Sequence, residues 1–93
     1  MKVTQEQAEL LAASALSFIA QDPDRLGRFL AMTGIGPSEI RGRINDPAFM
    51  GGLLDFLLAH EPDLLEFVEF AGVEPTFPKM ARRSLPGSEH LDS

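Results

Sequence analysis

The stretches LGRFLAMTGIGP at residues 26–37 and LLEFVEFAGVEP at residues 64–75 align without gaps, at an offset of 38 residues. The first leucine, a phenylalanine, a glycine and the closing proline recur at the same places in both. Glycine favours the end of one helix and proline the start of the next, so each copy predicts a helix, a tight turn and a second helix. Two copies are too few for an open solenoid, which needs about three stacked units. We therefore expect a closed pair.

Acidic residues followed by proline mark further helix starts, because the carboxylate caps exposed amides and proline suits the first helical turn. Such pairs begin at residues 22, 46, 61 and 74. Thr4 and Gln7 form a capping-box pair before the first helix. No alternating β pattern competes. The spacing predicts an all-α fold of about six short helices, at residues 4–20, 23–33, 37–44, 47–59, 62–71 and 75–85.

The segment at residues 47–59 is apolar around most of its circumference, which predicts a central, buried helix between the two copies. Asp55 is its polar exception. Because a buried carboxylate needs a partner, we expect Asp55 either to face water through a gap or to pair with an arginine or a helix N-terminus.

Length and composition indicate one globular domain, expected at residues 1–85, with a flexible tail at residues 86–93. Hydrophobic residues make up 44% of the chain and charged residues 24%, which argues against general disorder. Cysteine is absent from the sequence, so disulfides, thiolate zinc sites and thiol nucleophiles are excluded. No apolar run suits a signal peptide or a membrane span, and we expect a cytoplasmic protein.

The net charge of −6 is unevenly distributed along the chain. Residues 46–76 carry seven acidic side chains and no lysine or arginine, whereas four arginines precede them at positions 25, 28, 41 and 43. One interpretation is a solvated acidic face that keeps a small protein soluble. The other is a negative patch that steers a basic partner and repels polyphosphates.

The first copy resembles a known motif over residues 26–44. Its pattern, Phe29, Met32, then Gly34-Ile35-Gly36-Pro37, is similar to the turn of helix-hairpin-helix proteins. This resemblance implies a tandem pair of hairpins around the central helix, with an extra N-terminal helix. It also implies that backbone amides of the hairpin bind a nucleic-acid phosphate without reading bases. In the second copy Glu74 replaces the second glycine, so that hairpin is expected to be structural.

The hairpin is thus a candidate phosphate site, in which glycines admit the phosphate and a hydroxyl and two guanidinium groups lie within reach. Its residues are Gly34, Ile35, Gly36, Ser38, Arg41 and Arg43. Glu39 weakens the site. In the alternative, purely structural interpretation, Gly34 caps one helix, Pro37 starts the next and Ile35 fills the core between them.

The whole chain also resembles a family of small alphaproteobacterial proteins that is classed only as a domain of unknown function. The shared stretches are DPDRLGRFL at 22–30, TGIGP at 33–37, DPAF at 46–49 and LDFLL at 54–58. This resemblance implies no activity and no site residues.

Side chains able to do chemistry are few. His60 is either a metal ligand or a general base beside Glu61 and Asp63, or it complements a helix C-terminus. The usual spacing of metal ligands is missing. Ser14 and Ser17 have no base nearby in the sequence. We therefore expect neither an enzyme nor a cofactor or metal site.

The seven phenylalanines follow helical spacing and are expected in the core. Phe77 is the exception, because Pro78 loosens the predicted helix start and leaves the ring available for a protein contact.

The sequence leaves two functions open. The first is a non-enzymatic protein-interaction module with an unknown protein partner, present as a monomer or weak homodimer. The alternative is weak, sequence-independent binding of DNA or RNA through the hairpin.

Overall fold

The computed structural model describes residues 2–92, and within them the fold contains six α-helices and no β-strand. The helices are α1 (Gln5–Ala20), α2 (Pro23–Thr33), α3 (Ile40–Arg43), α4 (Pro47–Leu58), α5 (Glu61–Ala71) and α6 (Phe77–Arg83). Short 3-10 turns lie at Pro37–Glu39 and Glu89–Asp92. The predicted all-α fold is confirmed.

Side-chain capping explains three of the six helix starts in the described chain. Thr4 and Gln7 form the predicted capping box, in which each backbone amide donates to the other side chain, at 2.9 and 3.1 Å. Asp22 and Asp46 each accept from the amide two residues further on, at 3.0 Å. Four starts differ from prediction. Helix α1 begins at Gln5 rather than at residue 4, and α3 begins at Ile40 rather than at residue 37, because residues 37–39 form a 3-10 turn. Helix α5 begins at Glu61, one residue before its proline, and α6 begins only at Phe77.

The late start of α6 has a local cause. The amide of Phe77 donates to the carbonyl of Glu74 at 3.0 Å, which closes a turn around Pro75 before the helix begins. Pro78 then occupies the first turn of α6, where its missing N–H needs no intrahelical partner. The predicted helix at residues 75–85 is therefore shorter, seven residues long.

The duplication in the sequence is also present in the structure. Gly34 and Gly72 both have left-handed backbones, with φ of 73° and 69°, and each ends a helix. Their amides donate to the carbonyls four residues back, at 2.8 and 2.9 Å. The equivalent Phe29 and Phe67 are both fully buried. After the glycines the copies diverge, because the first continues into a 3-10 turn and the second into α6.

The core is built around two helices, α1 and α4, which pack on each other and on α2, α5 and α6. The predicted central position of the 47–58 helix is confirmed, and α1 shares it. Aromatic rings fill the space between helices: Phe29 meets Phe49 and Phe56 edge-on, and Phe18 lies against Phe67 and Phe70. Phe70 departs from the expectation of a buried ring, because 45% of its surface remains exposed.

Asp55 has the arginine partner that was one of its predicted alternatives. The guanidinium of Arg82 donates from Nε and Nη2 to the two carboxylate oxygens, at 2.8 and 3.1 Å. The same guanidinium donates to the carbonyls of Leu85, Pro86 and Gly87. Arg82 therefore fixes the chain after α6 to the side of α4.

The segment before α1 is in contact with the end of α6. Ser84 Oγ donates to the carbonyl of Val3 at 2.7 Å, and both Val3 and Leu85 are buried in the core. The expected flexible tail begins directly after this contact, with two carbonyls bound to Arg82. Its flexibility stays a prediction, and its last residue, Ser93, lies outside the described residues.

Candidate functional site

The candidate phosphate hairpin lies between α2 and α3. Gly34 caps α2, Gly36 precedes the 3-10 turn, and Ile35 packs against the core, as the structural interpretation expects. The hydroxyl of Ser38 and the guanidinium groups of Arg41 and Arg43 belong to exposed residues. Helix α3 has only four residues, so it offers little dipole to an anion.

Two amides of this hairpin already have acceptors within the chain. The amide of Gly36 donates to Glu39 Oε1 at 2.9 Å, and the amide of Ile35 donates to Thr33 Oγ1 at 3.3 Å. The Glu39 carboxylate therefore occupies the position that a phosphate oxygen would take at Gly36. A bound phosphate would have to displace an anion that is covalently part of the chain.

A buried ionic cluster joins α2 to α5, and the sequence reasoning missed it. Its centre is Asp63, whose side chain is only 4% exposed. Oδ1 accepts from Arg25 Nε at 3.1 Å, and Oδ2 accepts from Arg28 Nη2 at 3.1 Å. His60 Nδ1 lies 3.0 Å from the same Oδ2. Arg25 also donates to Glu66 at 3.2 Å, which places a second carboxylate on the cluster.

The electrostatics of the cluster favour an ionised Asp63. Burial alone raises the pKa of this carboxyl, but the hydrogen bonds from Arg25, Arg28 and His60 outweigh it and hold the pKa below its ordinary value. Arg25 in turn lies over the ring of Phe18, with Cζ 4.2 Å from the centroid. Only the Arg25–Asp63 centre of the cluster is buried, whereas the side chains of Arg28, His60 and Glu66 are 49%, 51% and 64% exposed. The buried pair joins α2 to α5, which suits a structural role.

His60 lies at the C-terminus of α4, as one interpretation expects: it directly follows the C-cap Ala59, and its amide donates to the carbonyl of Leu57 at 3.3 Å. It also precedes α5, where its imidazole faces Asp63. Within residues 2–92, no three His, Asp or Glu side chains are placed to hold a metal ion together. The imidazole therefore contributes to the ionic cluster.

An open apolar groove of about 340 Å³ runs along α1. One wall belongs to α1, and the other to the α3–α4 connection and the start of α4. The floor is formed by buried, apolar side chains. The lining residues are Glu6, Glu9, Leu10, Ala12, Ala13, Leu16, Ile44, Asn45, Phe49, Met50 and Leu53.

Exposed apolar side chains line both walls of this groove. Leu10 on α1 is 66% exposed and Ile44 on the opposite wall is 41% exposed. Ala12 and Ala13 keep the α1 wall low, because their side chains end at the β-carbon. The sequence carried one signal of this surface: Leu10 lies outside the stripe of Ala8, Leu11 and Ala15 that faces the core.

The predicted contact residue Phe77 is not part of the groove. Its ring is half-buried and packs against the core, so it offers less apolar surface than Leu10. Other large exposed apolar side chains lie elsewhere on the surface, on α2 and α5: Met32, Leu65 and Phe70. None of the helices within the described chain has both the length and the apolarity to cross a membrane.

Fold and site together define a small helical protein with an ionic cluster centred on the buried Asp63 and an open apolar groove along α1. The family model described as "Protein of unknown function (DUF3572)" matches residues 5–88, so the chain belongs to that family. This finding confirms the resemblance to a domain of unknown function. No curated protein and no solved structure matches the chain.

Proposed function

We propose that this chain is a non-catalytic protein-interaction module that docks a helix of a partner protein in the groove between α1 and α4. The observation that carries the proposal is the pair of exposed side chains, Leu10 and Ile44, on opposite walls of an apolar groove. Contiguous exposed apolar surface mostly marks a place where another molecule binds, because its burial is favourable.

The shape of the groove suits a helix better than a small molecule. Its volume of about 340 Å³ is near the lower limit of ligand pockets, roughly 300 Å³, and it is open along one side. A helix lying in such a groove buries apolar side chains at positions i, i+3 or i+4, and i+7, while its polar face stays in water.

The nucleic-acid alternative has less support. The hairpin amides of Ile35 and Gly36 are already bound to Thr33 and Glu39. The chain also has a net charge of −6, which opposes the approach of a polyphosphate. Helix docking needs no such displacement, because the groove is lined mainly by apolar side chains.

An NMR titration with an uncharged amphipathic helical peptide, carrying leucines at i, i+3 and i+7, tests the proposal. We expect shifts of the Leu10, Ala13, Ile44 and Met50 amides, which belong to the groove. Leu10→Ser should weaken binding about fivefold or more, because it removes most of one buried leucine contact of about 1.5 kcal/mol. Leu65→Ser is the matched control, since Leu65 is exposed on α5 and outside the groove. Unmoved groove amides at millimolar peptide, or equal effects of both substitutions, would overturn the proposal.

A further inference from the structure

The α1 wall of the groove carries two carboxylates beside its apolar lining. Glu6 is exposed and Glu9 is partly exposed, and both line the groove together with Leu10. Glu9 accepts a hydrogen bond from the side-chain amide of Gln5 at 3.0 Å. Within residues 2–92, neither carboxylate lies within ion-pair distance of a lysine, arginine or histidine. The wall therefore presents negative charge that the described chain does not neutralise.

The opposite wall of the groove is lined by uncharged side chains. Ile44 and Asn45 form its upper part and carry no charge, and the exposed Arg41 and Arg43 lie in α3 directly before them. Among the lining residues, negative charge therefore lies on the α1 side, since Asp46, which follows Asn45, caps α4 and does not line the groove. A ligand that matches both walls needs its positive charges on the side facing α1.

From this asymmetry we infer that the docked partner helix is basic along the flank that faces Glu6 and Glu9. The inference rests on the proposed helix-docking function and specifies the partner's chemistry. Lysine or arginine at the partner positions next to its apolar anchors would lie within reach of the two carboxylates. Exposed pairs of this kind contribute about 0.2 to 1 kcal/mol each, and they set orientation and partner choice more than total affinity.

A second copy of this chain is the less suitable occupant. Each copy has a net charge of −6, and residues 46–76 carry seven acidic and no basic side chains, so two copies repel each other. A homodimer through this groove would also bring the α1 carboxylates of both copies near one interface. Charge complementarity therefore favours a different, basic partner.

The test compares two helical peptides with the same leucine anchors, one flanked on a single side by lysines and the other by glutamates. We expect the lysine peptide to bind about tenfold or more tightly than the glutamate peptide at about 0.02 M salt. We expect most of that difference to disappear at about 0.5 M, where screening is strong. Amide shifts of Leu10 and Ile44 locate both peptides in the groove.

Matched charge variants separate local from overall charge. Glu6→Gln/Glu9→Gln should lower the affinity for the lysine peptide about threefold to tenfold, because two exposed pairs are lost. Glu61→Gln/Glu69→Gln changes the net charge equally but alters exposed residues on α5, and should change affinity less than twofold. Arg43→Gln should not lower the affinity for the lysine peptide.

The outcomes distinguish the two claims. If both peptides bind in the groove with equal affinity, or if the two double variants have equal effects, the basic partner is excluded and helix docking stands. If neither peptide shifts the groove amides, helix docking itself fails. Sedimentation of the free chain as a stable dimer whose contact shifts map to Leu10 and Ile44 would assign the groove to a second copy and overturn the inference.

Discussion

Arg25 in α2 and Asp63 in α5 each lie directly before one of the two aligned copies, as the third residue of their helix, and their side chains bind each other. The hydrogen bond from Arg25 Nε to Asp63 Oδ1 is 3.1 Å long and joins residues 38 positions apart, which is the offset of the two copies. The two helices therefore touch each other through the same position of each. Identical charges at this position would repel, so the contact requires that the helices differ there.

The first prediction concerns this buried pair. Asp63→Asn should lower the free energy of unfolding by about 2 to 3 kcal/mol, because Arg25 keeps its buried charge and loses its enclosed carboxylate partner. Glu66→Gln is the matched control, since Glu66 binds the same guanidinium but is 64% exposed, and should cost at most about 1 kcal/mol. Urea unfolding followed by circular dichroism measures both. A larger loss of stability for Glu66→Gln than for Asp63→Asn would contradict the assignment of Asp63 as the centre of the ionic cluster.

The second prediction is a pH dependence with a defined sign. The pKa of Asp63 is lower in the folded chain than its ordinary value, so the folded state holds the ionised form more strongly than the unfolded state does. The stabilisation is complete above the unfolded-state pKa of about 3.9 and is lost as the pH falls through the folded-state pKa. Unfolding at a series of pH values should show a smaller acid-induced loss in Asp63→Asn than in the native chain. If the free energy of unfolding fell in parallel with pH in both chains, this prediction would be wrong.

Helix positions could be predicted from the sequence because proline, glycine and capping residues act within a few positions along the chain. Thr4, Asp22 and Asp46 cap helices as predicted, and Gly34 and Gly72 end them. Long-range pairing could not be predicted in this way. The partners of Asp63 and Asp55 depend on helix packing, and several arginines along the chain were equally available to each.

The candidate site was harder to predict for the same reason. The hairpin was visible because its signal is local, whereas the groove is formed by α1 together with residues 44–53, which are distant in the sequence. The position of Leu10 outside the core-facing stripe of α1 is a weak signal, since a single exposed leucine on a helix is common. Only the packing of α1 beside the α3–α4 connection brings Leu10 and Ile44 to one groove.

The third prediction uses two neighbouring glycines of α4. A β-carbon at Gly51 would lie 2.8 Å from the guanidinium of Arg82, whereas one at Gly52 would meet nothing within 4 Å. Gly51→Ala should therefore destabilise the fold by about 1 to 3 kcal/mol, because the anchored guanidinium must move. Gly52→Ala should stabilise it by about 0.5 to 1 kcal/mol through helix propensity. Thermal unfolding of both variants checks this prediction. A change of the melting temperature with the same sign in both variants would contradict the close packing of Arg82 on Gly51.

The fourth prediction concerns the guanidinium itself. Arg82→Lys keeps the charge but cannot reach both oxygens of Asp55 and three carbonyls at once. We expect a loss of about 2 to 3 kcal/mol in the free energy of unfolding. Lys79→Arg is a conservative control on the exposed side of α6 and should change stability by less than about 0.5 kcal/mol. Equal stability of the native chain and the Arg82→Lys variant would show that the two hydrogen bonds from the guanidinium to Asp55 are unimportant for stability.

The fifth prediction addresses nucleic acid. Duplex DNA at low salt should leave the Ile35 and Gly36 amides of the native chain unmoved, because Glu39 holds the Gly36 amide. Glu39→Ala frees that amide and should permit weak binding, with a shallow salt dependence that reflects about one to three phosphates. An amide-shift titration measures both. Clear shifts of these amides in the native chain would support the nucleic-acid alternative instead.

The hydrogen bond between Ser84 and Val3 spans 81 residues and closes the core at Leu85. Helix α1 is synthesised before α6, and the two helices pack against each other. A nascent chain therefore cannot complete this core until residue 85 has emerged from the ribosome, and until then the apolar faces of the earlier helices stay exposed to water. The core is closed by the arrival of α6 and Leu85 rather than by the sequential addition of finished parts.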